Sequence, residues 1–181
     1  MAAPVEIVGY DPSWPGMYES EKDLILRVIG QRVEAIEHVG STSVPGLGAK
    51  AIIDIMAAVP RLDHAPALVE PLASIGYEYL PEYEKFVPER RYFRKGSPEP
   101  DSHHLHIVER STAFWKDHVL FRDFLRAHPA WARRYEAHKR DLSVNLMNDP
   151  TSFTEAKTGF IVEALASARR WRDGAASSPP A

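Results

Sequence analysis

One aspartate interrupts an apolar segment that follows a loop rich in glycine and hydroxyl groups. The loop begins at Gly40, and Asp54 lies within the apolar run of residues 52–59. A glycine permits close approach of a ligand to the backbone, and hydroxyl and amide donors can cradle phosphate oxygens. A carboxylate on the next strand can hold Mg²⁺ or Mn²⁺ against the same phosphates. The predicted phosphate-binding residues of the loop are Gly40, Ser41, Thr42 and Ser43.

A cluster of three histidines is the second candidate for chemistry. Alternate side chains of a strand share a face, so His104 and His106 are predicted to point together, while His103 joins Leu105 on the other face. His104 and His106, together with Asp54, predict a metal site that would also suit Zn²⁺ or another transition metal. The pair can equally contact an anionic ligand or lie on an exposed face of the sheet.

Cationic side chains on the C-terminal helices form a third set. Cations on helices that face a phosphate loop would balance the charge of a triphosphate. The same residue types are typical of a solvated helix face, so each is an independent hypothesis. The candidates are Lys50, Arg122, Lys139 and Lys157.

Composition narrows the classes of function. The 181 residues include 22 basic and 25 acidic side chains and no cysteine, which excludes disulfides, thiolate metal sites and cysteine nucleophiles. Charges of both signs are interspersed, so no surface for duplex DNA is predicted. The first residues lack the pattern of a secretory signal, and no segment is apolar enough to span a bilayer. We therefore expect a cytoplasmic protein without a membrane partner, and its oligomeric state stays open.

Strand and helix signals alternate and then give way to helices alone, which predicts an α+β fold. Strands are predicted at 5–8, 33–39, 52–59, 77–80, 90–95 and 102–109, with the last two forming an antiparallel hairpin. Helices are predicted from Ser13 to near Gly30, over 63–76, from Ser111 to His128, from Pro129 to about Met147, and after a capping box at 152–155. One domain is expected over residues 1–172, with a sheet part at about 1–110, a helical part at about 111–172, and a disordered tail at 173–181.

The central stretch of residues 37–55 resembles the GrpB family of the nucleotidyltransferase-fold superfamily. The resemblance extends from about Val5 to Trp171, with Ala51 where the family usually has proline. Its other supports are residues 11–14, 104–106 and 121–129, and the helices of Tyr135, Lys139 and Lys157.

This resemblance implies a mixed β-sheet covered by helices, and a specific arrangement of ligands. Active enzymes of the superfamily pair a glycine-serine turn with two carboxylates two residues apart on the next strand. Gly40, Ser41 and Asp54 match the turn and the first carboxylate, but Met56 occupies the place of the second. Methionine is no ligand for Mg²⁺, so the chain lacks one of the carboxylates that hold the ions in the usual two-metal mechanism.

The function predicted from the resemblance is binding of a nucleotide or other phosphorylated ligand, with metal-dependent nucleotidyl transfer as the enzymatic form. Fusion of some family members to dephospho-coenzyme A kinase makes a coenzyme A precursor a further candidate ligand. In the enzymatic form Asp54 anchors the metal, Ser41 positions the terminal phosphoryl group, and His104 or His106 completes coordination or acts as a general base. The alternatives are a non-catalytic phosphate-binding module, which Met56 favours, and a metal-dependent hydrolase that uses the histidines and Asp54.

Overall fold

The computed structural model describes residues 6–96, 101–145 and 156–176, and within them the chain forms an α+β fold. The strands are β1 (Ala35–Val39), β2 (Ile53–Val59), β3 (Tyr77–Tyr79), β4 (Arg90–Lys95) and β5 (His103–Glu109). The helices are α1 (Trp14–Ile29), α2 (Val69–Ala73), α3 (Ala113–Ala127), α4 (Pro129–Asn145) and α5 (Thr158–Ala176). The predicted fold class is confirmed.

The five strands form one mixed sheet in the order β1-β2-β5-β4-β3. Strand β2 pairs in parallel with β5, and the other neighbours are antiparallel, including the predicted β4–β5 hairpin. The parallel register places Asp54 beside His104 and Met56 beside His106. Because strand side chains alternate, these four residues lie on one face of the sheet.

The opposite face of the sheet is covered by α1 and α2, where the main hydrophobic core lies. Ile53, Ile55 and Leu105 are fully buried there against Ile25 of α1 and Leu72 of α2. The β2 strand is apolar at every position except Asp54 because both of its faces are covered over most of its length. His103 also lies on this face, beside Glu21 of α1, as predicted from its spacing.

Helix α3 covers only part of the Asp54 face. Trp115 packs on Met56, Ala58 and Val108 at one end of this face, and the other end contains Asp54 and His104. Helices α3, α4 and α5 form a second core of their own, which includes Val44 and Leu47 from the loop after β1. The loop is therefore held between the sheet and the helices.

Several predicted boundaries differ from the structure for local reasons. The strand predicted at 5–8 is reduced to a single bridge between Val8 and Ala49. The helix predicted at 63–76 begins as a 3₁₀ helix at Leu62–Leu68 and continues as the short α2, because it contains Pro66 and Pro71.

Two predicted helix ends also need correction. Thr112, rather than Ser111, caps α3, since its hydroxyl oxygen accepts from the N–H of Trp115 at 3.3 Å. Helix α5 continues through Ala176, so the tail does not start at Asp173 as predicted. The predicted capping box at 152–155 and residues 177–181 lie outside the described residues.

Candidate functional site

The turn after β1 is pressed against the Asp54 carboxylate. Gly40 has φ +71°, and a Cβ atom at this position would lie 2.4 Å from Asp54 Oδ2. Only glycine adopts this conformation without strain and leaves space for the carboxylate. The turn continues as one 3₁₀ turn over Ser41–Ser43. The predicted neighbourhood of the loop and Asp54 is therefore a direct contact.

Two histidines of β5 face the same carboxylate oxygen. His104 Nδ1 lies 3.3 Å and His106 Nε2 lies 3.9 Å from Asp54 Oδ1. Burial raises the pKa of Asp54, but the interactions with the facing imidazoles of His104 and His106 outweigh it and hold this pKa well below its usual range. Asp54 is therefore ionised at neutral pH, with its side chain about 30% exposed.

The neighbours of each imidazole determine its protonation. Burial lowers the pKa of His104, but Asp54 and Asp101 more than compensate, so the net pKa is raised. His104 Nε2 lies 3.1 Å from Asp101 Oδ2, so a carboxylate faces each of its nitrogens. His106 Nδ1 lies 3.3 Å from Nη1 of Arg90, which can only donate, so the proton of neutral His106 is on Nε2 and faces Asp54. Burial lowers the pKa of His106 to about 4.

The donors around Asp54 do not fit a divalent metal as the superfamily binds it. Neutral His106 directs its N–H at Asp54, and carboxylates of the protein face both ring nitrogens of His104. Met56, at the second carboxylate position, is fully buried under Trp115. Within the described ranges, no three His, Asp or Glu side chains converge closely enough to hold a metal ion. The predicted metal set of Asp54, His104 and His106 is brought together, but as hydrogen-bonding partners.

Lys139 of α4 reaches the turn from the helical layer. It is 3% exposed, and Nζ donates to Gly48 O at 2.6 Å and contacts Ser41 Oγ at 2.8 Å. Its ammonium also lies 4.8 Å from the centre of the Tyr135 ring. Burial, reinforced by the charge of Lys157, lowers the pKa of Lys139 to about 7.

Lys157 joins the same electrostatic group. Burial lowers its pKa, Asp54 opposes this effect, and the positive charge of Lys50 adds to it. Lys50 itself is exposed at the end of the loop. Three predicted cations, Lys50, Lys139 and Lys157, thus lie near the Gly40–Ser41 turn and Asp54.

Three other predicted ligand-binding residues use their polar groups within the protein. Thr42 donates to Ile52 O at 3.2 Å and contacts His38 Nε2 at 3.0 Å, while the Ser43 hydroxyl donates to Gly40 O at 2.5 Å. Arg122 is 8% exposed and bonds to Glu37 at 2.6 Å, Asp123 at 2.8 Å and the carbonyl oxygen of His38 at 3.0 Å. It lines an open cleft of about 350 Å³ beside α1, β1 and α3. These contacts hold the loop and the end of β1 in place, and the predicted ligand contacts of the three residues stay a prediction.

The residues that orient the histidines were not singled out from the sequence. The Tyr92 ring stacks on His106 at 5.4 Å between centroids and packs edge-on against His104 at 5.3 Å. Arg90 and Tyr92 share the histidine face of the hairpin because Tyr92 pairs with His106. The predicted hairpin register contains this signal, since alternate β4 residues must face the two histidines. Asp101 lies just before β5 and had no comparable signal.

Comparison with known proteins gives consistent matches over most of the chain. The family model described as GrpB protein matches residues 4–167. The Bacillus subtilis protein named UPF0157 protein YqkA is 35% identical over 170 residues, covering 94% of this chain and 49% of the relative. The glutamate-rich protein GrpB of Alkalihalophilus pseudofirmus is 33% identical over 165 residues, covering 89% and 94%. The chain thus spans about half the length of the B. subtilis relative and most of the second.

One further relative carries the name of an enzyme. The dephospho-CoA kinase of Mycolicibacterium paratuberculosis is 29% identical over 199 residues, covering 98% of this chain and 49% of that protein.

Solved structures extend the comparison to the fold. The conserved protein GrpB from Enterococcus faecalis has a TM-score of 0.82 and 32% identity, covering 92% of this chain and 99% of that chain. The terminal uridylyl transferase 4 of Trypanosoma brucei with bound UTP has a TM-score of 0.51 at 15% identity, covering 86% and 50%. The fold is therefore that of nucleotidyltransferases. None of the described helices is both long and apolar enough to cross a bilayer.

Proposed function

The chain belongs to the GrpB family, and from this membership and the geometry of the site we propose that it binds a nucleotide or another phosphorylated ligand beside the Gly40–Ser41 turn. The ligand phosphates contact Ser41, Lys139 and Lys157, with Lys50 at the entrance. Asp54, which faces His104, lies directly beside the turn.

The observation that carries this proposal is the buried ammonium group of Lys139, which reaches the turn from α4. Its Nζ contacts two neutral oxygens, and burial and the charge of Lys157 lower its pKa to about 7, against the opposing effect of Glu136 and Asp54. Holding this charge in a buried place costs free energy that a bound anion would offset. Phosphate is the anion that a serine hydroxyl and two ammonium groups suit best.

A nucleotide or a coenzyme A precursor is the favoured source of that phosphate. The T. brucei enzyme of the same fold is described with bound UTP. A relative that matches 98% of this chain, over 49% of its own length, is named dephospho-CoA kinase. These names describe the two matched proteins, and for this chain they indicate which ligands to test first. Binding without metal is expected, because the donors around Asp54 are directed at one another.

Metal-dependent nucleotidyl transfer stays the second candidate, favoured by the contact of Asp54 with a glycine-serine turn. It requires the histidines to turn away from the carboxylates that they now face, since Met56 offers no oxygen. The hydrolase with a histidine metal site has the same requirement. Both predict that a metal ion binds tightly and raises the affinity for nucleotide.

Thermal unfolding with ATP, dephospho-coenzyme A and inorganic phosphate tests the proposal, each with chelator, Mg²⁺, Mn²⁺ or Zn²⁺. A ligand at about a hundred times its Kd adds about 2.7 kcal/mol, which raises the Tm by about 5–10 °C for a chain of this size. We expect this shift in chelator, its loss in Lys157→Met, and its retention in the matched variant Lys22→Met on α1. Absence of a shift with every phosphate contradicts the proposal, and a shift that requires metal favours the second candidate.

A further inference from the structure

We propose that Ser41 and Lys139 form a nucleophile and general-base pair that accepts the terminal phosphoryl group of a phosphoanhydride, such as a nucleoside triphosphate. The inference rests on the proposed function, since the phosphoryl group must bind at the turn before it can react. It adds a covalent step that requires no metal ion.

The two side chains have the geometry of an activated serine. Lys139 Nζ lies 2.8 Å from Ser41 Oγ, within reach for transfer of the hydroxyl proton. A third group fixes the base, because Nζ also donates to the backbone oxygen of Gly48 at 2.6 Å. Ser41 is partly exposed while Lys139 is buried, so the nucleophile is accessible to a ligand and the base is shielded from solvent.

The environment of Lys139 favours the neutral amine that a base requires. Burial lowers its pKa to about 7, and the charges of Lys157, just before α5, and of Arg140 on α4 act in the same direction, against Glu136 and Asp54. A base whose pKa lies near the working pH is both available in its neutral form and able to take the proton. Burial keeps the nearby Tyr135 of α4 protonated by raising its pKa, and the interaction with Ser41 opposes this effect only in part.

Of the three hydroxyl residues in the turn, Ser41 is the one whose hydroxyl oxygen accepts from the lysine, and loss of a proton from Lys139 Nζ would reverse the direction of this bond. Thr42 donates to Ile52 O and Ser43 donates to Gly40 O, so each uses its proton on a backbone carbonyl. Both are also buried, at 1% and 4% exposure. The structure therefore selects one serine of a Ser-Thr-Ser sequence.

The reaction balances without a further reagent. The Lys139 amine takes the Ser41 hydroxyl proton, Oγ bonds to the terminal phosphorus, and the bond from phosphorus to the bridging oxygen breaks. The nucleoside diphosphate leaves as an anion beside Lys157 and Lys50, so it needs no proton. Water then adds to the phosphoserine, one water proton goes to a phosphoryl oxygen, and Ser41 Oγ recovers its proton from the Lys139 ammonium as phosphate leaves.

The test uses the full chain with ATP in chelator. Samples quenched in acid are analysed by intact mass and peptide mapping, and phosphate release is followed in parallel. We expect one phosphoryl group on Ser41, with a rate that rises with pH through about 7, the pKa to which burial brings Lys139. Ser41→Ala and Lys139→Arg should each reduce phosphate release by at least about 100-fold, because general-base catalysis contributes on the order of 10²–10⁴.

Matched controls separate this proposal from the proposed function. Ser111→Ala and Lys22→Arg change residues of the same types away from the turn, an exposed serine and a half-buried lysine paired with Glu19, and should leave phosphate release unchanged. Lys139→Arg keeps a positive charge, so it should retain a thermal shift with ATP while losing the phosphoserine. Wild-type protein that is stabilised by ATP but gives neither phosphoserine nor phosphate overturns the dyad alone. Wild-type protein that ATP does not stabilise overturns both.

Discussion

A single ionised carboxylate organises the polar face of the sheet at the scale of residues. Asp54 contacts the turn at Gly40 and faces two imidazoles, one of which is held by Arg90. In a two-metal enzyme the charge of such a carboxylate is balanced by ions, whereas here N–H groups of the protein balance it. Met56 and the two histidines, which lie beside Asp54 on the same face of the sheet, are therefore parts of one arrangement.

The contact between the turn and Asp54 predicts a specific cost for adding a side chain at Gly40. Gly40→Ala places a Cβ 2.4 Å from Asp54 Oδ2 and also strains a positive φ, so the loss of stability should exceed the 1–3 kcal/mol or so typical of backbone strain alone. The measurement is urea unfolding of the variant against wild type.

Gly46→Ala is the matched control for the contact. Gly46 has φ +79°, and no atom lies within 4 Å of a Cβ built there, so the substitution measures the strain without the clash. Equal losses of stability in the two variants would show that the turn does not press on Asp54.

Two buried histidines predict how stability depends on pH. Burial lowers the pKa of His38 and of His106 to about 4, from an ordinary value of 6.5. The fold therefore prefers both rings neutral, so their contribution to stability is complete above about pH 6.5 and is lost as the pH falls toward 4. The slope is about 1.4 kcal/mol per pH unit for each proton.

Unfolding by urea at pH 7, 5.5 and 4.5 checks this contribution for His38, which stacks on Tyr18 of α1. His38→Gln keeps a polar group near Thr42 but cannot titrate, so its stability should fall less steeply on acidification than that of wild type. His64→Gln, at an exposed histidine, should follow wild type. If the dependence of unfolding free energy on pH were the same in His38→Gln as in wild type, the titrating group would be a residue other than His38.

Helix α3 connects the two cores at the scale of elements. Trp115, near the start of α3, packs on Met56 on the Asp54 face of the sheet. Phe124, near the end of α3, packs in the core of the three C-terminal helices. Its last residues are followed by Pro129, which starts α4 and cannot continue the hydrogen bonds of α3. The position of α3 thus determines where α4 places Lys139.

The start of α3 gives a test of this role. Thr112→Ala removes the oxygen that accepts from Trp115 N–H and the hydroxyl that donates to Glu109 O at 2.7 Å. Loss of an N-cap costs about 0.5–2 kcal/mol, which urea unfolding resolves. Ser111→Ala, one residue earlier and exposed, should cost less than about 0.5 kcal/mol. A larger loss of stability in Ser111→Ala than in Thr112→Ala would instead identify Ser111 as the cap, as the sequence predicts.

At the scale of the whole molecule, the helical layer holds the loop through backbone atoms. Glu136 of α4 accepts from Gly48 N–H at 3.0 Å, and Arg126 of α3 donates to Ser43 O at 2.7 Å. Contacts to backbone depend on loop conformation rather than on side-chain type. The site is therefore built at the boundary between the sheet and the helices, and Lys139 completes it only when the two layers are docked.

Removal of one such contact should loosen the site. Glu136→Ala leaves Gly48 N–H without its carboxylate and removes the partner of Arg140, so we expect a loss of about 1–3 kcal/mol and faster hydrogen exchange at Gly48. Glu163→Ala removes an exposed partner of Arg134 and should change stability by less than about 1 kcal/mol. Unaltered exchange at Gly48 in Glu136→Ala would contradict this view of docking.

The sequence predicts more of the fold than of the chemistry, because alternation and turns are local signals. The period of two along β5 correctly assigns His104 and His106 to one face, and the apolar run of β2 isolates Asp54. The partners of those residues come from elsewhere in the chain. The contact of Lys139 with Ser41 depends on how distant segments pack, for which residue types alone give no distance.

The most direct test of the account follows the amide signals of the turn by NMR while ATP is added in chelator. We predict shifts at Gly40 and Ser41 in wild type and in Lys22→Met, and much weaker binding in Lys157→Met. This result places the phosphates beside the lysines without metal. Shifts confined to the cleft around Tyr18 and Arg122, or none at all, would contradict the central claim.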